Sequence, residues 1–393
     1  MIMNIPILLK IVTGLLVIAC SAMSLTHCAA PTSWSSTSST SSQINTTPVI
    51  QPSNMPKQIA LLLPLHGPMG TAGSAIKNGF LAAYYADAKN QANTPHLKIY
   101  DTSTSSIIQL YQKAIQEGAD FVVGPLTKNN VQTLASSGAV STTTLALNTL
   151  PNSMNSKNIT QFGLSPFDEA KQAADRAWAN GDKTAVVLVS NPAWGQNIAN
   201  VFEHTFTQLG GRIITQLTLS PNNTSSQIKR FFDLNSSIDE KTPGFVPKKR
   251  QDVSMIYLIA ELPAAEQIIP LLRYYYAGDI PLYALSQLYP ARGFDQPNMD
   301  LNNVYFCDMP WVLDPSHEPQ YLQQLRLQIE TIWPDSYSNN KKLYALGIDA
   351  YTIATKKLPF TGATGDLSLD QQQHIYRQLL WAQFKDGLPT LTP

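Results

Sequence analysis

Cysteine is scarce in this chain: three in 393 residues, two of which, Cys20 and Cys28, lie in the first 28 positions. With one thiol left for the remainder, no disulfide framework can form there, and Cys307 reads as a small buried hydrophobe. Charge is scarce as well: Asp, Glu, Lys and Arg make up 14% of the residues, 27 basic against 27 acidic. That balance offers no basic surface to nucleic acid and no strong field to steer charged substrates. The six histidines, His27, His66, His96, His204, His317 and His374, fall at no metal-ligand spacing, so no metal is expected. No Gly-Lys-Ser/Thr phosphate loop and no G-x-S-x-G elbow occurs. S-x-x-K occurs at Ser74/Lys77, Ser226/Lys229 and Ser338/Lys341, but its companions S-D-N and K-T-G are absent. Asp314, His317 and Glu318 stand together without a partner motif. Little is left on which to build an enzyme, and no cofactor is expected.

What is present begins with a leader. Lys10 precedes the apolar run Ile11 to Ala19, which is of signal-peptide length and shorter than a membrane span. Val17-Ile18-Ala19-Cys20 fits a bacterial lipobox, and Leu25-Thr26-His27-Cys28 is the alternative; simple cleavage and a retained anchor stay open beside them. Residues 1–28 are thus the lipoprotein signal region, with Cys20 (alternatively Cys28) the lipidation site. The following residue, Ser21 or Ala29, is not Asp, which points to the outer membrane, with the protein facing the periplasm. Residues 29–56 read as a flexible tether, since twelve of the twenty residues from Pro31 to Ile50 are Ser or Thr and cannot bury a core.

From Lys57 the chain alternates short apolar runs with helical patterns. Ile59 to Leu63, Leu97 to Tyr100, Phe121 to Val123 and Thr144 to Leu147 read as strands of one βα series. Pro64 to Gly73 reads as a glycine-rich loop before a helix opened by Ser74; Gly67, Gly70 and Gly73 form a tight turn at a cleft rim, not the dinucleotide fingerprint. A second series follows Phe162, with Ala185 to Val189, Arg212 to Leu219 and Ser254 to Ala260 as strands. Ser220 to Pro247 reads as a polar insertion with a helical patch at Ile228 to Leu234, ending in Lys248-Lys249-Arg250. Ser254 to Leu285 forms a strand–helix–strand crossover with Pro270 inside its helix and Gly278 as its stop; Tyr275 and Tyr276 of the run Tyr274-Tyr275-Tyr276 sit at helical spacing on the core side. Leu367 to Leu391 suggests a terminal hairpin.

Two βα series predict two parallel-sheet lobes joined by hinge crossovers near Gly163 and Leu282. Lobe 1 is expected to comprise 57–163 plus 283–351, and lobe 2 to comprise 164–282 plus 352–393. Position in the βα order places His66, Thr71, Asn148, Ser165, Trp194 and Ser286 near the rim of the cleft between them.

Ordered segments across this region resemble the LppC family. They include Ile59-Ala60-Leu61-Leu62-Leu63-Pro64-Leu65, Val123-Gly124-Pro125-Leu126, Phe162-Gly163-Leu164-Ser165-Pro166 and Ile269-Pro270-Leu271-Leu272-Arg273-Tyr274-Tyr275-Tyr276-Ala277-Gly278-Asp279. Phe306-Cys307-Asp308-Met309-Pro310-Trp311 and Leu343-Tyr344-Ala345-Leu346-Gly347-Ile348-Asp349-Ala350-Tyr351 extend the match, which runs from Lys57 to Pro393. The resemblance implies a type I periplasmic-binding-protein-like bilobal α/β fold. It also implies a non-enzymatic role: an outer-membrane lipoprotein that binds a bifunctional class A penicillin-binding protein, stimulates peptidoglycan synthesis and so bears on cell shape. The Ser/Thr tether stands where longer members carry a helical-repeat domain. A second expectation, of a different class, is a periplasmic solute-binding module that uses the inter-lobe cleft.

Overall fold

The computed structural model describes residues 55–89, 94–150, 157–232 and 250–393. The signal region, nearly all of the tether, and Lys248 and Lys249 with most of the insertion before them lie outside the described residues. The first lobe is built on β1 (Gln58–Leu63), α1 (Gly70–Ala88), β2 (His96–Asp101), α2 (Ile107–Gln116), β3 (Phe121–Val123), α3 (Lys128–Ser136), β4 (Thr143–Ala146) and β5 (Ile159–Gln161). Its five strands are all parallel, in the order β2-β1-β3-β4-β5. β1 is buried along nearly its whole length, as a strand covered by helices on both faces must be. Ile59, Leu61 and Leu63 face one cluster, while Ala60 and Leu62 face another formed with Ile107, Tyr111 and Leu134. β5 has only three residues, too few for an apolar periodicity to announce it.

The second lobe opens with α4 (Pro166–Ala179) and continues through β6 (Thr184–Val189), α5 (Pro192–Gln208), β7 (Arg212–Thr218), α6 (Thr224–Phe232), β8 (Met255–Ile259), α7 (Leu262–Tyr274), β9 (Leu282–Ala284) and β10 (Val304–Asp308). Then come α8 (Pro310–Leu313), α9 (Gln320–Ile332), α10 (Pro334–Thr355, broken at Asn340), β11 (Phe360–Thr361), β12 (Asp366–Leu369), β13 (Ile375–Gln378), β14 (Leu380–Lys385) and β15 (Leu388–Leu391). The second sheet has the order β15-β14-β10-β9-β8-β6-β7, and β14–β15 is the expected terminal hairpin. β11, β12 and β13 form a small antiparallel sheet of their own.

The expected return to lobe 1 at Leu282 does not occur. β9 pairs in parallel with β8, and β10 with β9, so residues 282–308 extend the second sheet. The reason is local: a strand–helix–strand crossover as short as β8–α7–β9 sets its second strand beside its first. The chain reaches the first lobe later, through α9 and α10, which pack on α1. Residues 352–355, expected in lobe 2, are the end of α10.

Helix ends follow their capping chemistry. Ser165 caps α4: its Oγ accepts the Phe167 N–H at 3.2 Å, with Pro166 in the first turn and Asp168 and Glu169 behind it. In the Pro64–Gly73 segment, Gly67–Met69 forms a 3₁₀ turn and α1 starts at Gly70, earlier than Ser74. α7 keeps Pro270 inside and ends at Tyr274, before Gly278. Tyr276 takes the left-handed position at φ 65°, where glycine is usual, and the Ala277 N–H bonds the Leu272 carbonyl at 2.8 Å. The tyrosine run is therefore not core: Tyr274 is exposed, and Tyr275 and Tyr276 are half-buried beyond the helix.

One apolar cluster runs through both lobes. It takes Ile59, Phe80 and Phe121 from the first, with Tyr344 and Ile348 of α10, which is seated on it, and Val187, Tyr257 and Cys307 from the second. α1 and α10 touch backbone to backbone. A Cβ on Gly79 would lie 2.1 Å from the Tyr344 carbonyl oxygen, and one on Gly347 would lie 2.0 Å from that of Ile76.

Candidate functional site

The six rim positions follow the strand ends, but their side chains are set differently. His66 is exposed after β1, and its Nδ1 bonds Asp101 Oδ2 at the end of β2. Burial works against the Asp101 carboxylate, but the Leu65 N–H, Ser103 and His66 together hold it well below the usual range. Thr71 is exposed in the first turn of α1. Asn148, after β4, donates to the Leu126 carbonyl at 3.0 Å and accepts the Thr149 N–H at 2.9 Å, tying two loops together. Trp194 is half-buried in the first turn of α5, and its indole N–H is buried without a hydrogen-bond partner.

Ser165 and Ser286 point into a buried polar seam. The Ser286 N–H and O–H donate to the two oxygens of Glu169 at 2.7 and 3.0 Å. Lys342 Nζ donates to the Ser286 carbonyl and hydroxyl at 3.3 Å each and pairs with Asp308 Oδ2 at 2.6 Å. Burial raises the Glu169 carboxyl, and Asp308 adds to it; Lys342 and the Ser286 N–H work the other way. Nearby, Ser165 offers its carbonyl to Arg377 Nη2 at 3.4 Å. Arg377 Nε stands 3.8 Å from Asp168 Oδ2, and His374 Nε2 stands 3.9 Å from Asp168 Oδ1. Burial raises the Asp168 carboxyl against the pull of His374 and Arg377. Deeper in α10, Asp349 accepts the N–H groups of Ala363 and Thr364 and the Thr364 hydroxyl at 2.6 to 2.8 Å. Burial still pushes its carboxyl up to about 6.

The sequence offered no direct signal for Lys342, Asp308 or Arg377 as members of this seam. Their partners are brought up by the fold from distant elements, and only the rim positions Ser165 and Ser286 marked the place. Asp314, His317 and Glu318 diverge: His317 pairs with Asp314 at 2.7 Å on the surface, while the buried Glu318 turns to Arg326 at 2.8 Å. Arg326 in turn covers the Trp311 ring.

Among the described residues, three cavities that open elsewhere are lined by none of the six rim residues. One of about 320 Å³ lies at the carboxyl ends of β6 and β8, between Ser190, Asn191, Leu219, Glu261 and Gln267. One of about 230 Å³ lies between α1, α9 and α10, lined by Ala83, Tyr321, Gln328 and Tyr351. The third, about 490 Å³, follows the loop from Pro290 to Asp300.

Comparison with known proteins gives this arrangement a context. A family model described as "LppC putative lipoprotein" matches residues 39–387. The penicillin-binding protein activator LpoA of Photobacterium profundum is 30% identical over 355 residues, 84% of this chain and 56% of that protein. LpoA of Edwardsiella piscicida is 33% identical over 328 residues, 74% of this chain and 45% of that one. The chain thus spans about half the length of the curated relatives it matches. The solved LpoA C-domain from Haemophilus influenzae, described as a regulator of PBP1A, superposes with a TM-score of 0.67 at 26% identity, covering 86% of this chain and all of that one. An ABC transporter substrate-binding protein from Sphaerobacter thermophilus superposes at 0.57 with 16% identity, a likeness of fold alone. The fold is therefore the bilobal α/β architecture of type I periplasmic binding proteins, and with the family model spanning nearly all of its length, the chain belongs to the LppC family.

Proposed function

We propose that this chain is a lipid-anchored regulator of cell-wall synthesis. Held at the periplasmic face of the outer membrane through Cys20, or alternatively Cys28, it binds a bifunctional class A penicillin-binding protein and raises the rate at which that synthase makes peptidoglycan. One observation carries the reading. What this chain shares with its relatives is the bilobal body, over the whole length of a domain described as a regulator of PBP1A. In this reading the chemistry belongs to the synthase, and the chain supplies a surface. The test is a glycan polymerisation and cross-linking assay of purified synthase with and without the full chain in detergent. Faster polymerisation or cross-linking is expected; equal rates at saturating chain would overturn the reading.

A second reading, solute binding, is favoured by the cavity of about 320 Å³ at the carboxyl ends of β6 and β8, the end of a parallel sheet at which α/β folds hold their ligands. Thermal shift with amino acids and wall fragments tests it. A rise in melting temperature that Gln267→Ala abolishes would support it, and no rise with any of them would count against it.

A further inference from the structure

We propose that Lys342 is a latch that fixes the angle between the two lobes without any ligand in the cleft. Lys342 belongs to α10, which is seated on α1 of the first lobe through the Gly79–Gly347 contact. All three oxygens that its ammonium reaches belong to the second lobe: Asp308 Oδ2 at the end of β10, and the carbonyl and hydroxyl oxygens of Ser286 after β9. The ammonium donates to the two Ser286 oxygens, and its charge is what answers Asp308 Oδ2, a buried oxygen that accepts no hydrogen bond among the described residues. The acceptors are themselves held. Asp308 Oδ1 accepts the Met309 N–H at 2.8 Å, and Ser286 is fixed by Glu169 of α4.

The setting makes the latch strict. The Asp308 side chain is 3% exposed and that of Lys342 is 20% exposed. Two carboxylates, Asp308 and Glu169, lie around one cation. Rotating the lobes apart would carry the ammonium away from Asp308 and leave that buried carboxylate without its counter-charge, the costly half of a broken buried pair. Hydrogen bonds tolerate a few tenths of an ångström before they lapse, whereas apolar contacts slide. The apolar cluster shared by the lobes holds them together, and Lys342 selects the angle. In a module whose lobes close on a solute, the ligand supplies the groups that bridge the lobes. Here a lysine of the chain supplies them.

The test is a spin-label distance measurement on the full chain. Cys20 and Cys28 are replaced by serine, labels are placed at Tyr85→Cys in α1 and Leu391→Cys in β15, and the buried Cys307 is left unlabelled. With Lys342 present, one narrow distance distribution is expected. Lys342→Met should widen it about twofold or displace its maximum, as lobe motions do, with an unchanged far-ultraviolet circular dichroism spectrum. Should K342M fail to fold, the K342M/D308N pair removes both charges and should fold with the same widened distribution. Ser286→Ala, which keeps the ion pair, should widen it to a smaller degree. A distribution unchanged from that of the unsubstituted chain in whichever of these variants folds would overturn the latch.

Discussion

α10 makes two contacts of opposite character within a few residues. At Gly347 it meets α1 through bare backbone, where two glycines let the helices approach until a single methyl would collide. At Lys342 it meets the second lobe through a half-buried cation, the buried carboxylate of Asp308 and the oxygens of Ser286. The first contact joins elements of one lobe, and the second joins the two lobes. Apolar packing is non-directional and fills space; a buried ion pair contributes little net stability but accepts one geometry only. This fold places tight packing where a helix must not move and polar selection where two bodies must hold an angle.

The comparison can be broken first at its polar side. Lys342→Met leaves the buried Asp308 without its counter-charge and should destabilise the protein by about 3–5 kcal/mol in urea unfolding. Adding Asp308→Asn should recover a large part of that loss, because the orphaned charge is then gone. At the packed side, Gly347→Ala puts a Cβ 2.0 Å from the Ile76 carbonyl oxygen and should cost about 1–3 kcal/mol, read in the same assay. Should it instead cost nothing, the close approach of α1 and α10 would not be essential.

A pH titration sharpens the contrast further. Asp349 is buried and its carboxyl is pushed up to about 6, above its ordinary 3.8. The folded protein therefore holds a proton that the unfolded chain releases, so stability should fall as pH rises from about 4 to about 6 and level off above that. The buried Asp168 and Glu169 are raised too, and act in the same sense. Urea midpoints across this range check the slope, and Asp349→Asn should flatten it. Smallest of all, Leu327→Glu on the exposed face of α9 lies in neither contact and should shift stability by no more than about 0.5 kcal/mol.

Much of the fold was legible because parallel strands covered on both faces write themselves as apolar runs, as Ile59 to Leu63 and Met255 to Ile259 do. Where strands shrink to three residues, as at Ile159–Gln161, nothing distinguishes them from loop. The position of Leu282 misled because a strand after a crossover looks alike whether it joins the old sheet or a new one; only the pairing with β8 decides. The rim residues were chosen by strand end, which is a property of the backbone. Whether a side chain there faces solvent, as His66 does, or a buried carboxylate, as Ser286 does, depends on partners from remote elements. Lys342 illustrates the limit: in the sequence it is one of two adjacent lysines, and only the fold gives it Asp308.

The proposed role requires the bilobal body to dock on a class A synthase. Its most direct test is equilibrium binding of the full chain in detergent to purified synthase at physiological salt, titrated to a plateau. Saturable binding that withstands competition by an unrelated periplasmic protein is expected. A signal that never saturates, or that the unrelated protein displaces equally well, would contradict it.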